Sequence, residues 1–153
     1  MKTLSLGFFA LMVVTSLSVT AAAAPRNYEY TGWKTSQHFE IANIDGYNEV
    51  YNPEEQIVFY VEGRSPDRID PEPKSGFNVQ ASITNENNVR LVGGNGEYNE
   101  EKRAWLVTFT APKASGSDYH MTISFYCAAE NSPCEEVYGR ASTVFKTLPL
   151  VIR

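Results

Sequence analysis

Alternating apolar and polar residues run through most of the chain, and this pattern predicts β-strands. The clearest segment is 76–84, in which Phe, Val, Ala and Ile occupy every second position, with Asn, Gln, Ser and Thr between them. The same period of two recurs at 55–62, 105–110 and 119–127. A strict period of two with many β-branched and aromatic residues is typical of antiparallel strands that bury one face. These four segments are therefore the predicted principal strands.

Weaker strand patterns lie at 39–44, 89–92 and 142–152. Pro149 interrupts the last of them, which predicts an edge strand or a strand that changes sheet. The strands are separated by turn residues at Asp45-Gly46, Asn52-Pro53, 85–88, 93–96 and 115–117. A Pro-rich stretch at 64–75 predicts a long exposed loop. No segment after residue 24 has a helical apolar stripe. We expect an all-β fold, a two-sheet antiparallel sandwich of seven to eight strands.

The first residues carry a different pattern, which predicts export. Lys2 is followed by an apolar run from Leu4 to Val19 and then by consecutive alanines. A basic start, a short apolar stretch and small residues before a cut are the layout of a secretory signal peptide. Pro25 would block a cut directly before it, so cleavage after Ala23 is favoured. We therefore expect a signal peptide at 1–23 and a periplasmic or secreted protein.

The predicted mature chain, 24–153, is one acidic domain. The net charge of the whole sequence is −5, and without Lys2 the chain has 12 basic against 18 acidic residues. The acidic balance and the lack of a basic cluster exclude a nucleic-acid binder. No apolar stretch of the mature chain approaches the length of about 20 residues that a membrane span needs.

Two cysteines, Cys127 and Cys134, lie in the predicted exported part. Exported proteins keep disulfides, and the residues between the two cysteines include turn formers. We expect a disulfide that closes the end of one hairpin. The spacing is not that of a Cys-x-x-Cys redox motif, and a zinc site would have to recruit both histidines of the chain, His38 and His120.

Catalytic and metal-binding patterns are weak. His120 lies on the predicted outward face of its strand, and no hydrolase or phosphate-loop motif occurs. The paired carboxylates Glu54-Glu55, Glu100-Glu101 and Glu135-Glu136 are adjacent, and adjacent strand residues point to opposite faces. We therefore expect a non-enzymatic protein with no cofactor and no resident metal. Calcium binding near Asp45 is the one metal alternative that we keep. A small secreted hydrolase is the enzyme alternative.

Residues 51–61 and the stretch Phe109-Thr-Ala-Pro112 with Tyr119-His-Met-Thr-Ile123 resemble bacterial immunoglobulin-like domains. The resemblance implies an immunoglobulin-like sandwich but no particular function. The antibody cysteine pattern is absent, because Cys127 has no earlier partner.

The segment Ser115-Gly116-Ser117-Asp118-Tyr119 is similar to a loop of bacterial periplasmic lysozyme inhibitors. That resemblance implies that Ser115 and Tyr119 enter a lysozyme cleft. Animal lysozymes are commonly basic, so an acidic domain would be steered toward them. The alternative is a turn followed by a strand, with Tyr119 as a core or corner residue.

Several aromatic residues fall in predicted loops or in the N-terminal arm, and they are candidates for recognition. The candidate binding residues are Ser115, Gly116, Tyr119, Trp33, Tyr47, Tyr51 and Tyr98. The leading hypothesis is a domain that binds a protein or a glycan through loops at one end. The alternatives are a lysozyme-inhibitor-like protein and an accessory subunit of an envelope assembly, which would present an unpaired edge strand.

Overall fold

The structure is a computed structural model, and it describes residues 39–67 and 69–153. The predicted signal peptide, Trp33 and His38 lie outside the described residues. Within the described part, strands account for almost all regular structure, which confirms the all-β prediction.

Eight strands and two short helices follow one another along the described chain. They are β1 Glu40–Asp45, β2 Val50–Tyr51, β3 Gln56–Arg64, a 3₁₀ turn at Pro73–Ser75, β4 Phe77–Thr84, β5 Arg90–Asn99, β6 Ala104–Thr110, β7 Gly116–Cys127, α1 Pro133–Tyr138 and β8 Thr143–Ile152. The four principal predicted strands correspond to β3, β4, β6 and β7. Each shows the alternating burial that its sequence pattern predicts.

The eight strands form one continuous curled sheet rather than two separate sheets. Their order is β1-β3-β6-β5-β4-β7-β8-β2. The curl occurs within β5, because its first half, to Asn95, pairs with β4 and its second half, from Gly96, pairs with β6. All neighbours are antiparallel except β2 and β8, which are parallel.

Glycines make the curl of β5 possible. A Cβ atom at Gly93 would lie 2.5 Å from the Ala81 carbonyl oxygen, and one at Gly94 would lie 2.9 Å from that of Thr108. Glycine within a strand often marks such a bend or a close backbone approach. The sequence prediction of a turn at 93–96 is therefore wrong, since these residues continue a strand.

The inward side chains of the curled sheet form one core. The ring of Phe125 on β7 stacks on Phe77, with centroids 4.9 Å apart, and meets Phe39 edge-on at 5.3 Å. A Cβ atom at Gly63 on β3 would lie 2.5 Å from Cζ of Phe125. The two halves of the sheet therefore face each other, with β3 packed directly on β7.

Three further features differ from the sequence prediction. The loop before β4 is only partly exposed: Glu72 is 6 % exposed, and the Pro71 carbonyl accepts a hydrogen bond from Trp105 Nε1 at 3.3 Å. The chain bends at Gly46, where φ is 84°, but it forms no tight hairpin there, since β1 pairs with β3 and the intervening β2 pairs with β8. The helix α1 was not predicted from periodicity, and it begins with the Ser132 side chain accepting from the Glu135 amide at 3.2 Å.

Strand β8 is an edge strand over most of its length, as Pro149 predicts. Within the described residues β2 pairs only with Val151 and Ile152, so the outer edge of β8 before them has no strand partner. Proline is tolerated at this open edge because no partner strand needs the N–H that it lacks. The Pro149 carbonyl accepts a hydrogen bond from the Tyr47 hydroxyl.

Candidate functional site

The predicted recognition loop, Ser115 to Tyr119, joins β6 to β7 and begins the latter strand. The Tyr119 side chain is 9 % exposed, and its hydroxyl donates to the Ala114 carbonyl oxygen at 3.0 Å. This hydrogen bond to backbone five residues upstream fixes the corner at which the chain enters β7. The tyrosine ring also explains Gly116, since a Cβ atom there would lie 3.0 Å from the ring.

The geometry assigns a structural use to the Ser-Gly-x-x-Tyr segment. Tyr119 holds the connection against the strand, while Ser115, Ser117 and Asp118 are exposed. The structure does not test the resemblance to lysozyme inhibitors, and the buried corner gives it no support.

Two adjacent cavities lie at this end of the sheet, and both are bordered by Asn85 and Tyr119. The first, of about 270 Å³, is polar, and its wall includes Glu86, Ser117 and Asp118. The second, of about 390 Å³, is more apolar, with walls that include Leu91, Val92 and Pro112. Lys113 also borders it, and its ammonium group pairs with Glu54 at 3.4 Å. We call this pair of cavities the Asn85–Tyr119 end of the molecule. Its walls come from the β4–β5 turn and the β6–β7 connection.

The sequence interpretation missed Asn85 as a site residue. Its side-chain oxygen accepts hydrogen bonds from the amides of Asn87 and Val89, at 3.0 and 2.9 Å, and so it fixes the turn that walls the cavities. The run of Asn and Glu at 85–88 predicts a turn, but nothing local indicates which other loop the turn meets.

Tyr47 and Tyr51 lie beside this end, where β2 joins the edge of β8. Ile152 of β8 pairs with Tyr51 of β2 on one side and with Gly116 of β7 on the other. Tyr51 and Gly116 therefore lie two strand spacings apart. Tyr51 is only 4 % exposed, and its hydroxyl accepts from the Asn48 amide at 2.9 Å. Burial raises the pKa of both tyrosines, with the neighbouring Tyr51 also raising the pKa of Tyr47.

Tyr98 lies at the opposite end, so the structure does not gather all the predicted binding residues. Its ring meets Trp105 edge-on at 5.2 Å, and both line a groove of about 330 Å³ together with Phe77 and Pro73. Burial and the Glu72 carboxylate raise the pKa of Tyr98.

The disulfide closes the connection between β7 and β8 at that same opposite end. Cys127 ends β7, Cys134 lies in α1, and their Cα atoms are 5.7 Å apart. This pairing fits the sequence prediction, although a helix rather than a simple turn carries the second cysteine.

The described residues provide neither a cluster of metal ligands nor a helix that could span a membrane. In this part of the chain no group of three or more His, Cys, Asp and Glu side chains could hold a metal ion. His120 is exposed on the outer face of β7. Glu55 Oε2 accepts a hydrogen bond from the Asn52 backbone amide at 2.7 Å. The described residues also include no helix that is long and apolar enough to cross a bilayer.

Comparison with known proteins gives no family for the chain. No protein-family model matches it, and no curated protein matches it. A solved structure of Bifidobacterium dentium β-glucuronidase, complexed with coumarin-3-O-glucuronide, matches the chain at a TM-score of 0.39 and 12 % identity. The match covers 74 % of this chain and 17 % of the glucuronidase chain.

Proposed function

We propose that the protein is an exported, non-enzymatic binding domain that recognises a protein ligand through its Asn85–Tyr119 end. The observation that carries the proposal is the pair of adjoining cavities, one polar and one apolar, between the β4–β5 turn and the β6–β7 connection. Binding residues are commonly carried on loops that a rigid scaffold positions.

The strand order supports an immunoglobulin-like architecture for this scaffold. In immunoglobulin constant domains the strands ABED form one sheet and CFG the other. Here the order β1-β3-β6-β5 follows ABED, and β4-β7-β8 follows CFG, with β5 shared between the two halves. The corner that Tyr119 fixes on β7 lies at the place that this assignment gives to strand F, which carries a tyrosine corner in immunoglobulin-type sandwiches. Loops cluster at the two ends of such sandwiches, and the proposed site lies at one of them.

The chemistry of the two cavities favours a protein ligand. Leu91 is 40 % exposed beside the apolar cavity, so an apolar side chain of a partner would find a contact there. Glu86 and Asp118, at the polar cavity, would favour a basic group next to it. The acidic balance of the chain would speed association with a basic partner.

A capture experiment with matched variants tests the proposal. The full chain, produced by export so that the disulfide forms, is used as bait in native envelope extract or host fluid. Leu91→Glu places a charge at the apolar cavity, whereas Val137→Glu changes a valine that is 53 % exposed in α1 at the opposite end. We expect the Leu91 variant to lose a partner that the wild type and the Val137 variant retain. Equal capture by all three proteins would contradict the proposed site.

A second candidate function, an accessory subunit of an envelope assembly, is favoured by the open edge of β8. A strand of another protein could pair there. However, Lys146 is the register partner of the fully buried Ile123, so it points to the core side of the edge strand. An inward-pointing lysine is one of the devices that oppose strand addition, and for this reason the end-loop proposal ranks first.

A further inference from the structure

The outer face of β4, β7 and β8 is a regular grid of uncharged polar side chains around one exposed aromatic ring. Two cross-strand rows form its centre: Gln80, Ser124 and Phe145 in one row, and Ser82, Thr122 and Thr147 in the next. The inward neighbours of these residues on β4 and β7 are fully buried, so the grid faces away from the core. We call these six residues the polar grid.

The polar grid is unusual because the strands that carry it place no charge on this face. Outward positions of β4 from 78 to 84, of β7 from 120 to 126 and of β8 from 143 to 149 contain no Asp, Glu, Lys or Arg. The chain as a whole is 20 % charged, with 18 acidic and 13 basic residues. Arg90 of the neighbouring β5 flanks this face, because its Nη2 lies 2.7 Å from the position of a Cβ atom at Gly93, the register partner of Ser82. A charge at the border of the face, rather than charges of both signs interspersed within it, favours a neutral ligand over an ionic one.

Phe145 gives the polar grid an apolar platform. Its side chain is 42 % exposed, and it is the one aromatic residue among the exposed large hydrophobic residues of the described chain. In the next row the hydroxyl oxygens of Thr122 and Thr147 are 3.5 Å apart. Ser124 is the register partner of Phe145 on β7. Hydroxyl and amide groups both donate and accept hydrogen bonds, and the electron-rich face of an aromatic ring attracts polarised C–H groups.

A neutral sugar polymer matches this combination. A pyranose ring presents C–H groups on its faces and hydroxyl groups on its rim, and it carries no charge. The area of the whole outer face of β4, β7 and β8, which contains the polar grid, argues against a second copy of this chain as the occupant. Three strands at about 4.8 Å spacing and four outward residues at about 6.8 Å spacing cover roughly 400 Å², below the about 800 Å² per partner of a stable interface.

We propose that the polar grid binds a neutral glycan chain, which stacks on Phe145 and exchanges hydrogen bonds with Gln80, Thr122 and Ser124. This surface is separate from the Asn85–Tyr119 end, so it adds a second ligand class to the protein. The two proposals therefore succeed or fail independently.

Retention by insoluble neutral polysaccharides tests this inference. The full exported chain is incubated with cellulose, chitin, xylan and a β-1,3-glucan, and its affinity for the polymer that retains it is measured by depletion. We expect Phe145→Ala to weaken retention by about tenfold or more, and Ser124→Glu to do the same by placing a charge in the grid. Val58→Ala is the matched control, since that valine is 40 % exposed on the outer face of β3 in the other half of the sheet.

Several outcomes would overturn the inference. One is that none of the four polymers retains the protein, and another is that Phe145→Ala is retained as well as Val58→Ala. Binding to dextran sulfate that salt abolishes would indicate an ionic site instead. If the wild type is a dimer and Phe145→Ala is a monomer, a second copy covers the face. Retention that survives Leu91→Glu would support the separation of this face from the end-loop site.

Discussion

The contact between Gly63 and Phe125 is the sharpest test of how the curled sheet closes around its core. Replacing Gly63 by alanine would place a methyl carbon 2.5 Å from Cζ and 2.7 Å from Cε1 of Phe125. That ring is fully buried, and it stacks on Phe77 and meets Phe39 edge-on, so it has no free space to move into. Overpacking of this kind costs about 1 to 3 kcal/mol.

We expect Gly63→Ala to lower the free energy of unfolding by about 2 kcal/mol, and Tm by about 6 to 10 °C in a domain of this size. Urea unfolding followed by circular dichroism, with the disulfide intact, measures this change. A double-mutant cycle supplies the control, because Phe125→Leu shortens the ring that the methyl group meets. In the Phe125→Leu background the alanine should cost less than about 0.5 kcal/mol.

Two results would refute this reasoning. The first is a Gly63→Ala protein as stable as the wild type, and the second is strict additivity of the two substitutions. Either would mean that β3 does not pack against β7, and the two halves of the sheet would then not share one core.

Three further predictions concern single interactions. Tyr119→Phe removes the hydrogen bond to the Ala114 carbonyl and should cost about 1 kcal/mol in urea unfolding, with the native near-ultraviolet spectrum kept; an unchanged midpoint would show that the corner is not formed. Replacing both Cys127 and Cys134 by serine opens a link across a sequence separation of 7 and should cost about 2 to 3 kcal/mol, which a loss below 0.5 kcal/mol would contradict. The pKa of Tyr47 is raised in the folded protein, so the unfolded chain loses this proton first as the pH rises. The stability that Tyr47 contributes is therefore fully present below the ordinary tyrosine pKa of about 10 and falls as the pH rises further. Unfolding measured from pH 8 to 11 should show this loss, and Tyr47→Phe should show less of it.

Alternation predicted the strands well because it reflects burial directly. Val79, Ala81 and Ile83 are fully buried, and the polar residues between them form the outer face. The prediction failed at 93–96 because glycine has two uses that look alike in a sequence. It can adopt turn conformations, and it can also let two backbones approach, as Gly94 does beside Thr108. Only the tertiary structure separates these uses.

The candidate site was harder to predict than the fold. Ser115, Gly116 and Tyr119 are close in sequence, and their turn chemistry indicated a corner, which the structure contains. The residues that meet them, Asn85 and Leu91, come from another hairpin, and no local pattern signals that contact. Aromatic residues were misleading as a group, because a tyrosine that plugs the core, such as Tyr51, has the same local sequence signal as one that faces a ligand.

Photo-crosslinking from single positions in the native setting tests the central claim most directly. A benzophenone amino acid is placed at Ser117, which is exposed at the polar cavity, or at Val137 on α1 at the opposite end. The account predicts a discrete protein adduct from position 117 and none of the same mass from position 137. Equal adducts from both positions, or an adduct from 137 alone, would contradict the claim that this protein binds its partner through the Asn85–Tyr119 end.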